Sequence, residues 1–175
     1  MRNKTTQFIT TAAIVAALYT ALSVLTNFIP TVGGVFQFRI AEAMCILPMF
    51  TPAAIPGLII GCLLTNIITG AGIYDVIFGT LATAIGAVLT YLICYRKNDI
   101  SGGNFTLRAI LAPIPAILAN AFIIPFVIQK LSDVPLAYFP LVISVGFGEL
   151  VCAGLLGVAL AFALRPQTEI LFGSR

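Results

Sequence analysis

The chain has 175 residues, of which 60% are hydrophobic and only 9% charged, with a net charge of +3. A water-soluble domain carries about 25% charged residues, so this composition cannot clothe a water-facing surface. The mean hydropathy of +1.10 and the long apolar runs specify a single all-α integral membrane domain over residues 1–175, and the small, scattered positive charge excludes a nucleic-acid partner.

Residues 1–4 form a short basic lead, and residues 5–27 supply one bilayer span at about 20 residues per helix. Because further apolar segments follow, this first one is expected to be a helix of the mature protein and not a cleaved signal. Ala13, Ala17 and Ala21 recur every fourth residue, with Ala12 and Ala16 beside them. Such a stripe of small residues lets a second helix approach closely, whether inside the protein or from another subunit. Residues 28–36 are a loop punctuated by Pro and Gly.

An apolar helix resumes at residues 39–50, too short to cross upright, and Pro48, Pro52 and Pro56 break it. Residues 53–69 form the third helix, with Gly57 and Gly61 as a second small-residue face. After a turn at 70–74, the fourth helix takes 75–95, with Asp75 suited to its amino end, where a carboxylate meets the helix dipole favourably. Residues 96–104 are a polar loop. The fifth helix covers 108–129, interrupted by Pro113, Pro115 and Pro125. An exit loop at 130–140 leads to the sixth helix at 141–164, and 165–175 is a tail.

Six crossings place both termini on one side with the loops after helices two and four. That side collects Arg2, Lys4, Arg96, Lys97, Arg108, Arg165 and Arg175, against Arg39 and Lys130 on the other. The excess of positive charge marks the first side as cytoplasmic, in a bacterial cytoplasmic membrane.

The chemistry concentrates between residues 37 and 75, which place Arg39, Glu42, Asn66 and Asp75 within or beside apolar segments. Ionisable groups there are costly and face a cavity or a partner. Arg39 and Glu42 lie one helical turn apart, so an internal ion pair is one outcome. Asn120 lies midway along the fifth helix and Glu149 inside the sixth. The amides suit interhelical hydrogen bonds as well as ligand binding. Glu149 has no basic neighbour in sequence and must be protonated, paired across helices or matched by a cationic ligand. Phe36, Phe38 and Tyr74 fall near the same level and suit either packing or stacking on a ligand. Together these groups fit a flat, donor-rich, cationic molecule, since carboxylates accept paired N–H donors and aromatic faces stack.

Other chemistries find little support. The chain has no histidine, no paired-Asp or Ser/Lys face and hence no evident nucleophile or base, so no enzyme is expected. Cys45, Cys62, Cys94 and Cys152 form no CxxC pair and read as buried small residues. No metal, haem or other cofactor is expected. There is no Walker A sequence, so any ATP would be hydrolysed by a partner.

The run FRIAEAMCILPMFTPAAIPGLIIGCLLTN at 38–66, then DVIFGTLAT at 75–83 and GFGELVCAG at 146–154, resembles the QueT family of membrane proteins. The resemblance covers nearly all of the chain. It implies the six-transmembrane-helix fold of an S-component, the substrate-binding subunit of an energy-coupling factor (ECF) transporter. The implied partners are a transmembrane coupling subunit, two ATPase subunits and the lipid bilayer. The alanine stripe would be the docking surface, and the whole subunit would topple to carry its pocket inward. The implied substrate is a queuosine precursor, 7-aminomethyl-7-deazaguanine or queuine. Glu42 and Glu149 would meet its guanine-like edge and its ammonium, with Arg39, Asn66 and Asn120 facing its oxygen and ring nitrogens or holding the carboxylates. Asp75 would bind ligand or only cap its helix. The rival reading from the residues is a free-standing, proton-coupled transporter with Glu149 as the titrating group, although no inverted repeat is evident.

Overall fold

The computed structural model describes residues 4–27, 39–96, 104–131 and 137–172, and these are helical with no strand among them. The elements are α1 (Lys4–Asn27), a 3₁₀ helix (Ile40–Met49), α2 (Ala54–Ile68), α3 (Ile73–Cys94), α4 (Phe105–Leu111), α5 (Ile114–Leu131) and α6 (Tyr138–Glu149). A π-helical segment (Leu150–Leu156) continues α6 into α7 (Gly157–Leu164), and a 3₁₀ turn (Arg165–Gln167) leads to the short α8 (Thr168–Leu171).

Four continuous stretches are long and apolar enough to cross a membrane: Lys4–Asn27, Ile73–Cys94, Phe105–Lys130 and Tyr138–Gln167. The other two apolar helices are shorter. At about 1.5 Å per residue α2 extends roughly 22 Å, and at about 2.0 Å per residue the 3₁₀ helix extends roughly 20 Å. Neither reaches the roughly 30 Å of a hydrocarbon core. The six expected crossings are thus four full-length spans and two short apolar helices.

The 3₁₀ helix sits at the centre. Residues 41–50 are all buried, and it packs against α1, α3, the π segment and α7. A 3₁₀ run beyond three or four residues is uncommon, because its hydrogen bonds are poorer than those of an α-helix. Enclosure on every side supplies what the local geometry lacks. Ile46, Leu47, Met49 and Phe50 build the core with Tyr19 of α1 and Leu58 of α2. Large apolar side chains such as Ile67, Ile73, Leu92, Ile143 and Leu155 are exposed, as befits a surface whose solvent is lipid.

Close approach of α1 and α2 depends on absent side chains. A Cβ at Gly57 would lie 2.7 Å from the Ala12 carbonyl oxygen, and one at Gly61 would lie 2.9 Å from the Tyr19 Cβ. Thr20 Oγ1 donates to the Gly61 carbonyl at 3.2 Å across the same seam. The two alanine rows of α1 therefore differ. Ala16 is buried and Ala12 half-buried against α2, while Ala13, Ala17 and Ala21 are exposed.

Prolines shape the fifth span. The helix expected at 108–129 begins at Phe105 and breaks between α4 and α5, where Pro113 lacks the N–H needed to continue the ladder. Near this break Thr90 Oγ1 of α3 donates to the Ala112 carbonyl at 2.7 Å. At one end of the bundle Phe172, just beyond α8, stacks on Phe50 with ring centroids 5.6 Å apart, and the Arg165 guanidinium lies 4.8 Å from the centre of the Phe105 ring.

Replacing Gly57 with valine should separate α1 from α2 and cost about 1–3 kcal/mol, as overpacking usually does. Leu64→Ala, on an exposed position of the same helix, should change stability by less than about 0.5 kcal/mol. Thermal unfolding of the purified protein in detergent checks both.

Candidate functional site

The site is built outward from Glu42, near the start of the buried 3₁₀ helix and only 1% exposed. A carboxylate there must find donors, because water is excluded. Tyr19 of α1 donates its hydroxyl to Glu42 Oε1 at 2.5 Å. Cys45, three residues on and one turn away along the 3₁₀ helix, donates its thiol to Oε2 at 2.9 Å. Both oxygens are thereby satisfied within the protein.

Arg39, just ahead of the 3₁₀ helix, turns elsewhere: its Nη2 donates to Asn66 Oδ1 of α2 at 3.2 Å. The one-turn Arg39–Glu42 spacing thus serves two separate hydrogen-bonded groups, although the guanidinium stays within electrostatic range of both Glu42 and Glu149. Asn66 is 1% exposed and completely engaged. Its Nδ2 donates to the Asp75 carbonyl oxygen at 3.3 Å and to Cys62 Sγ at 3.6 Å. Gly79 of α3 makes room for this amide, since a Cβ there would lie 3.3 Å from Nδ2. Thr83 completes the seam by donating to Cys62 Sγ at 3.3 Å.

The second half of the cluster comes from α5 and α6. Asn120 is 2% exposed and Glu149 6%, and the two side chains come within hydrogen-bonding reach of each other, with Glu42 and Arg39 as the charged neighbours of Glu149. Here the hydrogen bonding is incomplete. Asn120 Nδ2 and Glu149 Oε2 are buried without a partner. Glu149 ends the α-helical part of its span, and the π segment begins at the next residue. Single π turns inside α-helices occur often at functional sites, where the wider turn re-aims a side chain.

Glu42, Asn66, Asn120 and Glu149 thus form one buried group drawn from α2, α5, α6 and the central 3₁₀ helix, joined by the half-buried Arg39. Asp75 joins it through its backbone carbonyl, while its side chain folds back so that a Gly72 Cβ would lie 3.5 Å from Oδ2, in the first turn of α3. Tyr74 is 44% exposed and stands apart from the buried group. Phe36 and Phe38 lie outside the described residues.

Sequence reasoning missed Tyr19 and the polar work of two cysteines. All four cysteines are free and buried, as expected, but Cys45 acts as a donor and Cys62 as an acceptor. Tyr19 carries the one available signal. It is the single phenol in the first span, and a buried tyrosine hydroxyl usually finds a polar partner.

The sequence model described as the QueT transporter matches residues 9–166, nearly the whole chain. The chain belongs to the QueT transporter family. It is also 33% identical, over 99 residues, to the queuosine precursor transporter QueT of Lactococcus lactis subsp. cremoris (strain MG1363). That match covers 57% of this chain and 58% of the relative, so it spans little more than half the length of each. No solved structure matches. The family and the apolar helices together make this a multi-pass membrane protein of a transporter family.

Tyr19→Phe keeps the ring and removes the donor to Glu42 Oε1. Leaving a buried acceptor unpaired costs about 1–3 kcal/mol, and more when it is charged. Thermal unfolding without ligand should show a clear drop for this variant. Tyr91→Phe, outside the cluster, should leave the midpoint nearly unchanged.

Proposed function

We propose that the protein is the substrate-binding S-component of an ECF importer and takes up a queuosine precursor, 7-aminomethyl-7-deazaguanine or queuine. The observation that carries this reading is the buried polar group itself. Two carboxylates and two carboxamides share one enclosed core with the half-buried guanidinium of Arg39, giving one more acid than base. Such a group favours a small molecule bearing positive charge and several N–H donors. The Lactococcus relative is described as a transporter of a queuosine precursor, and 7-aminomethyl-7-deazaguanine has both properties.

Energy would come from separate ATPase subunits through a transmembrane coupling subunit. The exposed row Ala13, Ala17 and Ala21 supports a docking role for α1, since the adjacent row is already occupied by α2. In this reading both termini face the cytoplasm, the chain acts as a carrier and not as an enzyme, and substrate enters from outside. The alternative, proton-coupled transport through Glu149, would require no ATPase.

Thermal unfolding with 7-aminomethyl-7-deazaguanine, queuine, guanine and riboflavin tests the substrate. A ligand at 100 times its Kd should add about 2.7 kcal/mol to the stability of the state that binds it, so a rise is expected with a deazaguanine and none with riboflavin. Absence of a rise with every deazaguanine would refute the substrate assignment. Ala17→Leu should abolish cellular uptake while leaving binding by the purified protein unchanged. Uptake that persists without the ATPase subunits would instead favour the proton-coupled carrier.

A further inference from the structure

Among the described residues, the buried side-chain atoms without a hydrogen-bond partner are Thr80 Oγ1, Arg108 Nε, Asn120 Nδ2 and Glu149 Oε2. Arg108 is engaged through other atoms, and a lone hydroxyl is easily re-aimed. Asn120 and Glu149 differ from these. They come within reach of each other across the α5–α6 contact, each more than nine-tenths buried, yet Asn120 Nδ2 and Glu149 Oε2 are left without a well-formed hydrogen bond. Native interiors rarely leave such groups unpaired. Glu42 is the opposite case, with both oxygens already bonded to Tyr19 and Cys45.

We infer that Asn120 and Glu149 together read a cis-lactam edge, an N–H beside a C=O on a flat heterocycle, and that Glu42 is a positioning residue which does not bond the ligand. The lactam N–H donates to Glu149 Oε2, and its carbonyl accepts from Asn120 Nδ2. One edge then satisfies both orphaned atoms at once. Tyr19 and Cys45 hold Glu42 still, and its charge with that of Arg39 sets the field in which Glu149 works. This division of roles rests on the queuosine-precursor reading above and goes beyond it by naming the edge that is recognised and the two side chains that recognise it.

Two probes separate the possibilities. 7-Deazaguanine carries the lactam, whereas 2,6-diamino-7-deazapurine places an amino group where the carbonyl was and a bare ring nitrogen where the N–H was. The amino group then meets a donor and the bare nitrogen meets an acceptor. Buried polar groups left unpaired in this way give strong discrimination. Calorimetric titration of the purified full chain should show 7-deazaguanine binding about 100-fold more tightly than the diamino compound, each mismatch contributing roughly tenfold.

In Asn120→Leu the ratio should fall to about tenfold or less, because one of the two readers is gone. Without ligand the melting temperature of this variant should fall only modestly, since the contact it loses with Glu149 is not a well-formed hydrogen bond. Asn120→Ser serves as a second variant with the same expected loss of discrimination. Glu149→Gln should weaken 7-deazaguanine strongly. Glu42→Gln should weaken both probes alike and leave their ratio intact.

An undiminished ratio in Asn120→Leu and Asn120→Ser would overturn the inference while leaving the queuosine-precursor reading in place. So would a collapse of the ratio in Glu42→Gln. If the unaltered protein binds neither deazapurine, the substrate reading fails and the inference falls with it.

Discussion

The constraint on which this structure depends is that a carboxylate at the centre of an apolar bundle must be supplied with donors from the protein itself. Glu42 meets it with one phenol from α1 and one thiol from its own helix. The consequences spread outward. The 3₁₀ helix must be enclosed on every side, α1 must lie close enough for Tyr19 to reach inward, and α2 must expose bare backbone at Gly57 and Gly61 to permit that approach. A polar requirement at one atom thus sets the packing of the first three helices. In lipid this coupling is strong, because no water can take over a missing donor.

The second half of the bundle follows a different logic. Around Asn66 the hydrogen bonds close on themselves through Arg39, the Asp75 carbonyl and Cys62. Around Asn120 and Glu149 they do not. The cluster therefore has a completed side, which confers rigidity, and an incomplete side, which confers receptivity. Preorganised groups cost little further ordering when a ligand arrives.

Much of this was legible in the sequence. Apolar run lengths located the helical segments to within a few residues, and Arg39, Glu42, Asn66, Asn120 and Glu149 stood out because ionisable and amide groups are expensive in such runs. Their convergence is a property of the tertiary fold. The Arg39–Glu42 spacing suggested an ion pair, but spacing is silent about Tyr19, which lies 23 positions from Glu42. Cys45 and Cys62 were unreadable as polar groups because a thiol bonds weakly and passes for a small hydrophobe. The 3₁₀ and π geometries were equally hidden. Apolar periodicity carries no trace of either.

The π segment next to Glu149 has a consequence for the frame of the last span. A π turn holds an additional residue relative to the α-helical path, and each α-helical residue advances the angle by about 100°. Loss of one residue between 150 and 156 would allow the segment to relax into a continuous α-helix, and Gly157 and Ala161, which are buried, would keep nearly the face they have now. The same loss within α6 or α7, where no turn holds a spare residue, would swing everything beyond it by about 100°. The π segment is thus where this span can change length by one residue and keep its packing face, at the expense of the aim that the wider turn gives Glu149.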